Sequence, residues 1–142
     1  MVVTFDWKGT IMETLGIEVT EYTREKVVAT MPVKAGVYQP FGLLHGGVSA
    51  VLAETVASAG SYLFIDPATQ RAVGLEINAN HLRSVNQGTV RAVGMPVHTG
   101  GRTIVWDVRI YDQEDKIVCI SRCTVAIVDQ VDSSAGQDAP NQ

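Results

Sequence analysis

Between Gly47 and Ile65 the chain carries one charged side chain, Glu54, in a run otherwise built from alanine, valine, leucine, glycine and uncharged polar or aromatic residues. A helix over such a run has no polar face to turn to solvent, so it must be covered on nearly every side. Glu54 is then the exception that needs a reason. Burying a carboxylate without compensation costs several kcal/mol, so it is paired, protonated or chemically employed. The run is just long enough to suggest a membrane span. However, a central glutamate costs about 2.5–3.5 kcal/mol on insertion scales, and Ser49, Thr55, Ser58 and Ser61 weaken that reading further. A buried helix in a globular protein fits better.

The segments around this helix read as strands. About Asp6 to Leu15 is a short helix stopped by Gly16, a position suited to the left-handed backbone that ends helices. Ile17 to Tyr22 and Glu25 to Val33 alternate like a hairpin or one bent strand. Pro32 to Gly42 is irregular, and Gly46-Gly47 opens the uncharged helix, which runs to about Phe64 with Asp66-Pro67 as its exit. Four strand-like runs follow, at Ala72 to Leu82, Thr89 to His98, Thr103 to Tyr111 and Ile117 to Val128. The links Asn86-Gln-Gly88, Thr99-Gly-Gly101 and Asp112 to Asp115 are short enough for antiparallel hairpins. The pattern predicts an α+β fold in which a curved, mainly antiparallel sheet of five or six strands wraps one long helix. A sheet of that size covers only part of the helix, so the remainder calls for a second copy of the chain.

The 142 residues fit one domain, expected over 1–128, with a disordered tail over 129–142 where little can be buried. Hydrophobic residues make up 46% of the chain and charged ones 18%, which leaves apolar surface for self-association. A net charge of -4 offers no general attraction to nucleic acid or to an anionic membrane. Cys119 and Cys123 are four strand residues apart, roughly 13 Å and beyond disulfide reach, so they read as reduced core thiols. The first six residues lack the basic and apolar regions of a signal peptide, and the expected compartment is the cytoplasm.

The turn Gln39-Pro-Phe-Gly-Leu-Leu-His45-Gly-Gly47, followed by Glu54 eight residues after Gly46, resembles the hotdog-fold acyl-CoA thioesterases. The nearest group is the 4-hydroxybenzoyl-CoA and 1,4-dihydroxy-2-naphthoyl-CoA thioesterase branch, which includes phenylacetic-acid-pathway enzymes. The similarity runs from about Ile11 to Val128 and takes in Val73-Gly-Leu-Glu-Ile-Asn-Ala-Asn-His-Leu-Arg-Ser84. The resemblance implies a hotdog fold and hydrolysis of an aromatic acyl-CoA, in menaquinone synthesis or aromatic degradation. It also implies a dimer with shared active sites, assembling into a homotetramer.

Thioester hydrolysis needs donors for the carbonyl oxygen as it becomes negative, and a carboxylate or activated water to attack the carbon. Gly46, at a helix N-terminus with a free N–H and no side chain, suits the oxygen contact. By analogy with the family, the Gln39 amide orients the same carbonyl, His45 shapes the loop and contacts the thioester, and Glu54 is nucleophile or general base. From Gly46 to Glu54 a helix rises about 12 Å, too far for both to flank one carbonyl from a single chain. Two antiparallel helices across a dimer interface would bring Glu54 of one chain to Gly46 and Gln39 of the other. Ser58, one turn beyond Glu54, can hold water or the carboxylate. Of the aromatics Trp7, Phe41, Tyr62, Phe64 and Trp106, most read as core, and Phe41 beside the motif is the expected acyl-pocket wall.

Coenzyme A brings phosphates, which call for arginines and free backbone amides. In the family the positions matching Gly74, His81-Leu82-Arg83-Ser84 and His98-Thr99-Gly100-Gly101-Arg102-Thr103 line that site, and Arg122 is a further candidate cation. From spacing alone, Thr99-Gly-Gly101 is equally a hairpin turn and the arginines a solvated face. The histidines lack the spacing of a zinc site, and no metal or cofactor is expected, since coenzyme A is part of the substrate. Two other classes remain open: a hotdog hydratase or dehydratase that leaves the thioester intact, and a non-catalytic acyl-CoA-binding module.

Overall fold

The structure, a computed structural model, describes residues 4–131. Its elements are α1 (Ile11–Leu15), β1 (Glu18–Tyr22), β2 (Val27–Pro32), α2 (Gly46–Ser61) continued by a 3-10 turn (Tyr62–Phe64), β3 (Gln70–His81), β4 (Thr89–Thr99), β5 (Thr103–Tyr111) and β6 (Ile117–Asp129). The strands form one antiparallel sheet in the order β1-β2-β4-β5-β6-β3. The α+β hotdog arrangement expected from the sequence is present, with α2 packed against five of the six strands.

Alternation along the strands builds the core. On β5, Ile104, Trp106, Val108 and Ile110 are fully buried and alternate with more accessible residues. They meet Leu52, Ala53, Val56 and Ala57 of α2, whose spacing of three and four residues keeps one helix face on the sheet. Gly60 and Gly94 let the helix come close: a methyl group on either would collide with Trp106 or Val56. Cys119 and Cys123 are free and buried on the same inner face of β6.

Three expectations change. The first helix is shorter than Asp6 to Leu15, because Gly9 has a left-handed φ of 74° that breaks it and Thr10 takes extended angles as the cap. Gly16 ends α1 at φ 68°, as expected. The link Asn86-Gln-Gly88 is not a hairpin, since β3 pairs with β6 and β4 with β2 and β5. Three strand spacings, about 14 Å, separate β3 from β4, and residues 82–88 cross that gap outside any helix or strand. Backbone bonds from Leu82 to Val118, Leu44 to Val85 and Val33 to Gly88 pin the crossing beside the start of α2. Finally, β6 runs to Asp129, which pairs with Gln70. The rest of the expected tail lies outside the described residues.

No helix among the described residues is long and apolar enough to cross a membrane. The two sheet edges differ. β1 has five residues, whereas β3 has twelve and leaves Val73 and Leu75 exposed beside its unpaired backbone groups.

Candidate active site

At the N-terminus of α2 the motif folds into a braced turn. Gln39 N–H donates to Leu43 at 2.8 Å, Gly42 N–H to Gln39 at 3.0 Å and His45 N–H to Val37 at 2.9 Å. The Gln39 side-chain oxygen accepts from Phe41 N–H, which leaves its amide NH2 as the group available to another acceptor. His45 is the helix cap, its Nδ1 accepting from Gly47 N–H at 2.8 Å. The Gly46 N–H meets no acceptor among the described residues, as a first-turn amide does unless a ligand reaches it. Over Gly46 lies the His81 imidazole, close enough that a methyl group on Gly46 would come within 2.6 Å of Nε2.

Gln39, Gly46, His81, Leu82, Arg83 and Ser84 converge on one cavity of about 320 Å³, with Leu43, Leu44, Ser49 and Val118 also in its wall. The crossing loop that replaced the expected hairpin is what carries Arg83 and Ser84 there.

Glu54 stands elsewhere. It lines a second, larger cavity of about 720 Å³ with Ser58, Val51, Thr55, Ala59 and Tyr62 of the helix and Phe5, Trp7, Ile11 and Met12 of the N-terminal segment. The wall is aromatic: Phe5 stacks on Trp7 with centroids 4.9 Å apart and meets Tyr22 edge-on at 5.2 Å. Tyr22 in turn donates its hydroxyl to the Ala59 carbonyl at 2.8 Å, which ties the wall to α2. Glu54 forms no salt bridge among the described residues. Its carboxylate rests against Gly74 of β3, and its charge reaches Cys123 beneath. Burial, then Glu54, then Glu76 push the Cys123 thiol up to about 12, so it stays neutral at physiological pH.

The remaining candidates divide between the two ends of the sheet. Gly100 N–H donates to Thr103 at 2.9 Å in the β4–β5 hairpin, His98 packs against Gly100, and Gly101 has open space about it. Arg102 is exposed there, and its carbonyl accepts from Ile127 N–H at 2.8 Å. Thr103 pairs with Ala126 and His81 with Cys119, so seven residues of β6, about 23 Å, separate the hairpin from the His81 cluster within one chain. Arg122 alternates with buried Ser121 and Cys123, faces away from α2 and lines neither cavity. Phe41 is 87% exposed and also lines neither, while Trp7 and Tyr62, expected in the core, are cavity walls.

Part of that wall could have been read from the sequence. Val51, Glu54, Thr55, Ser58, Ala59 and Tyr62 form one stripe at spacings of three and four along α2. Phe5, Trp7, Ile11 and Met12 reach it by long-range packing that no local pattern announces. Among the described residues, no three His, Cys, Asp or Glu side chains are grouped as a metal ion would need.

Residues 41–119 match a family model described as the Thioesterase superfamily. The ComA2 protein of Bacillus subtilis strain 168 is 57% identical over 123 residues, which span 87% of this chain and 98% of that protein. The 1,4-dihydroxy-2-naphthoyl-CoA hydrolase of Escherichia coli K12 is 46% identical over 121 residues, 85% of this chain and 88% of that enzyme. A crystal structure of a mutant of thioesterase PA1618 from Pseudomonas aeruginosa superposes with a TM-score of 0.84 at 46% identity, covering 87% of this chain and 88% of that one.

Proposed function

This chain belongs to the thioesterase superfamily and is a thioester hydrolase, and from that premise we propose that it cleaves an aromatic acyl-CoA to the free acid and coenzyme A at a site shared by two chains. The observation that carries the reading is the placement of Glu54, a carboxylate without an ion pair among the described residues, in an apolar, aromatic-walled cavity. An unpaired carboxylate there is available to attack an electrophile or to take a proton from water. The wall of Phe5, Trp7 and Tyr62 suits a flat acyl group. The naphthoyl-CoA substrate named for the Escherichia coli relative points the same way.

In this reading Glu54, or water activated by it, attacks the thioester carbon. The carbonyl oxygen takes the negative charge and is held by the Gly46 N–H and the Gln39 amide, reinforced by the positive end of α2. When the tetrahedral centre collapses, the carbon–sulfur bond breaks and coenzyme A leaves as thiolate. One water is consumed, whether the attack is direct or passes through an anhydride on Glu54. The reaction so written uses no metal and no separate cofactor. His45 contributes by capping α2, which keeps the Gly46 amide aimed outward.

One chain holds these parts in two separate cavities, and its long β3 edge suggests how they meet. Pairing two β3 strands antiparallel about a two-fold axis sets the Gly74 end of one beside the His81 end of the other. Glu54 and the His98–Thr103 hairpin of one chain then approach Gln39, Gly46 and Arg83 of its mate. The hairpin that bears Arg102 and the cluster that bears Arg83, about 23 Å apart along β6 within one chain, then serve one coenzyme's phosphates. Two such dimers would make the tetramer, with a cytoplasmic location in keeping with two free buried thiols.

Free thiol released from benzoyl-, phenylacetyl-, naphthoyl- and straight-chain acyl-CoA tests the reading. Aromatic thioesters should be preferred at least about tenfold in kcat/KM, the scale set by fit in an apolar pocket. Hydration with the thioester intact would identify a hydratase, and binding without turnover a carrier or sensor. Faster cleavage of straight chains would remove the aromatic assignment.

A further inference from the structure

β3 breaks its register with β6 at one place: Gly74 pairs with Val125 and Glu76 with Thr124, leaving Leu75 bulged out and 65% exposed. Glycine at 74 is not demanded by the backbone, since Gly74 is not among the residues with positive φ. Nor is it demanded by the core. Methyl groups at Gly60 or Gly94 would strike Trp106 or Val56, but one at Gly74 would overlap only Glu54, clashing with Oε1 and coming within 3.3 Å of Cδ. The atom in the way is the far end of a flexible side chain. A methyl group at 74 would therefore be accommodated by moving the carboxylate, with the fold unchanged.

We propose that Gly74 is a positioning residue: its bare Cα, presented at the bulge, is the floor against which the Glu54 carboxylate is set for attack. This rests on the reading of Glu54 as nucleophile or base. It differs from the expectation that Gly74 contacts coenzyme A, because a coenzyme contact acts on binding and a floor under the carboxylate acts on the chemical step. A glutamate has three rotatable bonds, and displacing a reacting group by about 1 Å can cost on the order of a hundredfold in rate.

The test is Gly74→Ala in the full chain, assayed with the best acyl-CoA of the panel and with free coenzyme A as inhibitor. The expected result is a fall in kcat of about 30- to 100-fold. KM, coenzyme A inhibition and the urea midpoint should hold close to wild type. In a Glu54→Ala background the same change should move the residual rate less than about twofold, since the two residues act as one unit. A raised KM and weakened coenzyme A inhibition with kcat retained would overturn the proposal and leave Gly74 as a coenzyme contact. Unchanged kinetics, a lower urea midpoint, or an undiminished loss in the Glu54→Ala background would each overturn it too. Glu54→Ala alone reports separately on the underlying reading, which fails if that variant is fully active.

Discussion

Glu54→Ala should lower kcat/KM by at least about a thousandfold, a loss of about 4 kcal/mol in transition-state stabilisation, while the protein stays folded. The size follows from the role: without the carboxylate, neither an anhydride nor a base-activated water can form, and only the oxygen contacts at Gly46 and Gln39 remain to assist. The fold should tolerate the change, because Glu54 holds no ion partner among the described residues and lines a cavity. Thiol-release kinetics with circular dichroism and urea denaturation separate the two effects. A folded variant within about tenfold of wild type would take Glu54 out of the chemistry.

Trp106→Ala should act in the opposite way, on stability before chemistry, with a loss of about 3–5 kcal/mol. Trp106 is fully buried and is the largest such side chain. It fills the space above Gly60, meets Phe64 with centroids 6.2 Å apart, and donates its indole N–H to the Ser61 hydroxyl at 2.9 Å. Removing it opens a cavity between α2 and the sheet and leaves Ser61 without its donor, although that hydroxyl still donates to Ala57. A loss of this size is a large part of a domain's usual margin. Urea midpoints compared at one protein concentration measure it, since assembly also contributes to stability. A loss below about 1 kcal/mol would mean the helix repacks onto the sheet more freely than the packing of Gly60 on Trp106 suggests.

The elements that were legible in the sequence are those a local period can encode. The strand over Thr103–Tyr111 and the helix opening at Gly46 were readable because alternation and an uncharged run persist over many residues. The start of α1 is what local pattern missed, because one left-handed glycine, Gly9, decides it, whereas its end at Gly16 follows the expectation. Strand order was a harder matter. The link Asn86-Gln-Gly88 is as short as a hairpin loop, and only the pairing of β3 with β6 turns the stretch that holds it, residues 82–88, into a crossing. That crossing placed Arg83 and Ser84 beside Gly46. The motif from Gln39 to Gly47 was readable because its parts are contiguous, and the rise of α2 already implied that Glu54 lies too far from Gly46 to work with it in one chain. The wall of Phe5 and Trp7 was not, for it depends on a segment nearly fifty residues from Glu54 folding back onto α2.

The division of the working parts between chains is the central claim, and co-assembly of two inactive variants measures it most directly. Gln39→Ala and Glu54→Ala chains, each weakly active or inactive alone, should form mixed dimers in which one site holds both lesions and the other holds none. Verified mixed dimers should regain about half the wild-type kcat, at an unchanged KM. If they stay as inactive as their parents, each chain performs the reaction within itself and the shared site is wrong.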